Sequence, residues 1–152
     1  MKYEKFIKRA GINGVVVSDG SNRKYIYYNG VAMVIPPIFA DNYNVSSYKI
    51  PAGIFEAVGR IDPEYTENAA KLTLAEIPAD GKAKEITRIY TDADFEFGVN
   101  NTNWSLIERN DNAFIALDDD EELVALAIFD RGDLVGIIFP IGFTISDLET
   151  IN

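Results

Sequence analysis

The segment Glu121 to Ile141, EELVALAIFDRGDLVGIIFPI, constrains the fold more than any other part of the chain. Two apolar runs, LVALAIF and LVGIIFPI, flank the polar break Asp130-Arg131-Gly132-Asp133. Short apolar runs separated by a Gly-containing break read as the two strands of a hairpin. The Arg-Gly-Asp tripeptide inside the break is accordingly assigned to a turn, because nothing else in the chain suggests an extracellular adhesion ligand. Immediately before the hairpin stand five consecutive acids, Asp118-Asp119-Asp120-Glu121-Glu122.

The rest of the chain supplies elements for that hairpin to join. In residues 3–10, Tyr3, Phe6, Ile7 and Ala10 fall at helical spacing on one stripe, and Gly11 is placed to end the helix. GVVVS (14–18), KYIYYNG and VAMVIPP are rich in Val, Ile and Tyr and are punctuated by Asp19-Gly20 and Asn29-Gly30. They read as three strands closing at Pro36-Pro37. Residues 38–47 form a connection, SSYKI a short strand, and PAGIFEAVGRI a second helix with Pro51 in its first turn. Strands are expected in AKLTLAEI (70–77), EITRIYT (85–91), FEFGV (95–99), WSLIE (104–108) and AFIAL (113–117). Asn100 to Asn103 is expected as a turn, and residues 142–152 as a tail appended to the fold.

Two helices and largely antiparallel strands make the expected class α+β. At 152 residues one domain is expected, long enough to bury a core, with halves of about 1–45 and 46–141. No run approaches the roughly 20 apolar residues that a membrane span needs. The opening MKYEKFIKRA carries no apolar targeting core, so a cytoplasmic location without membrane contact is expected.

The chain has no cysteine and no histidine. That excludes disulfides, cysteine or histidine zinc sites, thiol nucleophiles and any serine hydrolase with a histidine base. A non-enzymatic role is the expectation, with no cofactor and no bound metal. The net charge of −10 is unevenly distributed. Residues 1–24 hold six basic against two acidic residues, whereas residues 62–152 hold six against twenty. Asymmetry of this kind bears on partners.

Two charged features are candidate contact sites. Lys2, Lys5, Lys8 and Arg9 lie opposite the apolar stripe of the first helix, a row suited to phosphate contact. Asp118, Asp119, Asp120, Glu121 and Glu122 are suited to a basic partner surface. Adjacent side chains of an extended segment point to opposite faces, so these five do not converge on one cation, and a solvated turn is the plainer reading. Asp92, Asp94 and Glu96 alternate on one side of an extended segment and read as a solvent face. Tyr25, Tyr27 and Tyr28 resemble a base-stacking platform only in composition.

Three segments carry a family resemblance. KIPAGIFEAVGRI (49–61), FEFGVNNTNWSLIE (95–108) and DLVGIIFPI (133–141) resemble parts of a domain of the bacterial DNA sliding clamp, the polymerase III beta subunit. In clamps the closing strand ends near a Met-Pro pair, where this chain has Phe139-Pro140. The resemblance implies a single DNA-clamp-like domain of two helix-plus-strands halves. It implies inner helices facing double-stranded DNA through basic residues, here Lys2, Lys5, Lys8 and Arg9, and ring closure by self-association. The second helix offers Arg60, beside Glu56. The leading expectation is therefore a clamp-like domain acting through protein–protein contacts, with sequence-independent DNA contact. The alternative is an acidic interaction module of inhibitor or immunity type.

Overall fold

A computed structural model describes residues 1–21, 23–44, 47–64, 73–76, 86–90 and 96–151. The first helix, α1, forms over Tyr3–Ala10 as its apolar spacing requires, with Phe6 and Ala10 buried. Gly11 ends it at φ 51°, where its N–H reaches Ile7 O, a conformation that costs glycine little. Three antiparallel strands follow, β1 (Val15–Ser18), β2 (Lys24–Tyr28) and β3 (Val31–Val34). Asn29 and Gly30, at φ 46° and 86°, join β2 to β3 in the doubly left-handed turn that matches strand twist. Pro37–Ala40 coils into one turn of helix, α2, within the expected connection. β4 (Tyr48–Lys49) then leads into α3 (Ala52–Gly59), with Pro51 just ahead of it.

Beyond α3 come β5 (Thr73–Glu76), β6 (Ile86–Tyr90), β7 (Glu96–Asn100), α4 (Asn101–Trp104), β8 (Asn112–Leu117), β9 (Leu123–Asp130), β10 (Asp133–Ile138) and β11 (Glu149–Thr150). One sheet has eight strands in the order β11-β4-β1-β2-β3-β10-β9-β8, and a second has the order β5-β6-β7. Among the described residues all pairings are antiparallel except β1 with β4. The class is α+β, as expected. Strands from the two expected halves share the larger sheet, joined where β3 pairs with β10.

Two expectations fail. WSLIE (104–108) forms no strand, because Asn100 Oδ1 accepts from Thr102 N–H at 2.9 Å and starts α4 instead. Ser105, Leu106 and Ile107 N–H groups then bond back to Asn101, Asn103 and Trp104, so capping by Asn outweighs β propensity. Residues 142–150 are no loose appendage either. Thr144 and Asp147 form a reciprocal capping box, Leu148 is buried, and β11 pairs with β4. The outer residues of the strands expected at 70–77, 85–91 and 95–99 lie partly outside the described residues.

Side-chain alternation divides the core between the two faces of the larger sheet. Val17, Tyr25, Tyr27, Phe114, Ala127 and Phe129 pack with Ala57 and Val58 of α3. Val16, Ile26, Met33, Leu126 and Ile128 pack with Phe6 and Ala10 of α1, together with Val99 and Leu106. Since neighbours on one strand point oppositely, α1 and α3 cover opposite faces. That arrangement accounts for the apolar hairpin. β9 lies between β8 and β10 with both faces covered, so alternation gives way to a continuous apolar run.

Candidate functional site

The predicted basic strip divides on folding. Lys2, Lys5 and Lys8 are exposed along α1. Arg9 is half-buried, and its Nη1 donates to Thr102 O at 2.9 Å, tying α1 to α4. Arg60, at the end of α3, lies on the other face of the sheet, where Nη2 pairs with Asp119 and Nη1 donates to Leu117 O at 3.3 Å. The basic groups of the two helices therefore do not share one surface within this chain.

The five acids close the turn from β8 to β9. Asp118 turns inward on its own loop, its Oδ1 accepting from Asp120 and Glu122 N–H at 2.9 Å each. The Asp118 N–H bonds Glu122 O, and Glu121 takes a positive φ of 60°. Asp119 meets Arg60, while Asp120, Glu121 and Glu122 are exposed. One acid builds the loop, one pairs with α3, and three present charge to solvent. Among the described residues no group of three or more acids is placed to hold a metal ion. Asp92 and Asp94 lie outside the described residues, and for Glu96 the backbone alone is described.

Tyr25 and Tyr27 are buried at 1% and 3% exposure, so neither offers a ring face to a nucleobase. Tyr27 instead packs edge-on against Phe139 and Phe143. Burial pushes its hydroxyl pKa up, against the lowering effect of the Gly30 N–H that it accepts.

A cleft of about 240 Å³ lies between α3 and one end of the larger sheet. Phe55, Val58 and Gly59 line it from α3, Ile50, Phe129 and Ile137 from the floor, and Gly132, Asp133 and Leu134 from the β9–β10 hairpin. Its polar wall is Asp19, Arg23 and Tyr25. Asp19, only 5% exposed, accepts four hydrogen bonds: Oδ1 from Ser21 N–H, Ser21 Oγ and Arg23 N–H, and Oδ2 from Tyr25 Oη at 2.5 Å. Burial first, and then the adjacent carboxylate, holds the Tyr25 hydroxyl protonated well above its usual range. Gly20 lets this turn press on α3, for a Cβ there would lie 2.7 Å from the Phe55 ring. The sequence pattern marks Asp19-Gly20-Ser21 as a turn, but not the inward direction of the carboxylate.

A further buried polar side chain is Asn103, 5% exposed, which donates to Asn29 O at 2.8 Å and links α4 to the β2–β3 turn. Among the described residues no helix is long and apolar enough to cross a membrane. Comparison with known protein families, with characterised proteins and with solved structures finds no match in any of the three.

Proposed function

We propose that this chain is a non-enzymatic binding module that receives a basic segment of a partner protein along β8 and the acidic turn that follows it. The observation behind this reading is the position of β8 at the end of the eight-strand order. Arg60 Nη1 reaches this strand from α3, donating to Leu117 O at 3.3 Å. An unpaired strand edge is a template for an added strand, and neighbouring charge selects what is added. Here the neighbours are Asp120, Glu121 and Glu122, all exposed. A lysine- or arginine-flanked extended segment fits both features.

The test is a titration with each protein that the immobilised chain retains. Binding should weaken with salt, fall at least tenfold in the Asp120→Lys/Glu121→Lys/Glu122→Lys variant, and slow hydrogen exchange in residues 112–117. A partner that binds the triple variant equally well removes this reading.

A second reading rests on α1 and on the clamp resemblance. Three exposed lysines on one short helix support loose, sequence-independent contact with double-stranded DNA by a self-associated ring. Because α3 covers the opposite sheet face, each subunit would offer α1 alone. Native mass and salt-dependent duplex binding decide it. A 16.9 kDa monomer indifferent to Lys2→Glu/Lys5→Glu/Lys8→Glu ends this reading.

A further inference from the structure

We propose that the cleft between α3 and the sheet binds a small amphipathic carboxylate, with its apolar body against Phe55, Val58 and Ile137 and its carboxylate on Arg23. Size sets the first limit. At ~30 Å³ for each water-sized group, about 240 Å³ holds roughly eight such groups, a ring with a short acid arm rather than a nucleotide.

Charge sets the second. Asp19 looks like an anchor for a cation, but its Oδ1 already accepts from Ser21 N–H, Ser21 Oγ and Arg23 N–H and its Oδ2 from Tyr25 Oη, which leaves one Oδ2 lone pair on a side chain only 5% exposed. Tyr25 has given its only proton to Asp19. The group left with donors to spare on the polar wall is the exposed Arg23 guanidinium, which lies by the Tyr25 hydroxyl. Among the described residues it forms no ion pair. A planar guanidinium at the rim of an apolar cleft recognises a carboxylate through paired donors. The other charge on the lining, Asp133, is exposed at the start of β10, where solvent screens it.

Phenylacetate, phenylacetamide and phenethylamine share a ring and differ in charge, so they serve as probes for the full chain. Amide chemical shifts followed during titration should show phenylacetate saturating residues of the cleft, about tenfold or more tighter than the other two. Arg23→Gln should bring phenylacetate to the level of the amide. Gly59→Leu should abolish binding of all three while the chain stays folded. Gly59 ends α3, a Cβ there meets no atom within 4 Å, and leucine is the better helix former. The proposal is overturned by any of three results: no saturation by about 10 mM phenylacetate, a weak affinity by any standard; tightest binding by phenethylamine; or an unchanged affinity in Arg23→Gln. None of these outcomes bears on the β8 edge.

Discussion

Tyr25 donates its hydroxyl proton to Asp19 Oδ2 across 2.5 Å, and the two residues are 1% and 5% exposed. The bond joins the β1–β2 turn to a core tyrosine, so the two partners differ in what their loss leaves behind. Tyr25→Phe leaves Asp19 with three donors and should cost about 1–2 kcal/mol. Asp19→Ala strands the Tyr25 hydroxyl and two backbone N–H groups together, and should cost roughly 2–4 kcal/mol. Urea unfolding midpoints at constant m value compare the two, and a smaller loss for Asp19→Ala would contradict the assignment.

The same pair predicts how stability responds to alkali. Tyr25, Tyr27 and Tyr3 all have pKa values raised above the ordinary 10.0, Tyr3 to about 12 through burial and then the Tyr43 hydroxyl. A raised pKa means that the unfolded chain releases protons first. The stability these groups contribute is complete below pH ~10 and declines as pH rises above it. For a single buried tyrosine the decline is about 1.4 kcal/mol per pH unit. Tyr25→Phe should therefore lose less stability than the parent between pH 10 and 12, as followed by urea unfolding across that window.

The sequence shows the elements more fully than it shows their associations. Helical spacing of Tyr3, Phe6, Ile7 and Ala10, and the Asn29-Gly30 turn, are local signals, and both elements form where expected. WSLIE misleads because Asn100 acts through a side chain, capping α4 before β propensity takes effect. The assignment of α1 and α3 to opposite faces depends on strand order, which pairs β3 with the distant β10 and leaves no local trace. Arg9 reads as a surface cation like Lys5, and only tertiary placement turns it towards Thr102 O. Asp19 and Asn103 are missed for a related reason. Both stand in turn-like polar clusters, and burial of a single polar side chain is a property of the packing around it.

Within the acidic turn the residues should separate by role. Asp118→Ala removes the acceptor for two N–H groups and should cost about 1–2 kcal/mol. Asp119→Asn loses an exposed pair with Arg60 and should stay within about 0.5 kcal/mol of the parent. Glu121→Gly relieves a positive φ and should gain up to about 1 kcal/mol. Thermal unfolding of the three variants gives the order directly, and a destabilised Glu121→Gly would refute the left-handed turn.

Two contacts of Met1, ahead of α1, should prove coupled. The Met1 ammonium lies 2.7 Å from Asp111 Oδ2, and the two side chains are each 1% exposed. The Met1 side chain occupies the space above Gly136, where a Cβ would collide with its sulfur. Gly136 follows the bulge of β10 against β9 and faces the α1 side of the sheet, so its missing side chain is the slot. Asp111→Asn breaks a buried pair and should cost about 3 kcal/mol. Gly136→Ala expels the Met1 side chain and should cost about 1–3 kcal/mol. Once either anchor is lost, the other holds a segment already displaced, so the double variant should lose at least ~0.5 kcal/mol less than the sum. Strict additivity in the unfolding free energies would show instead that Asp111 and Gly136 act separately, and that α1 keeps its place through Phe6, Ala10 and the Arg9 bond to Thr102 O.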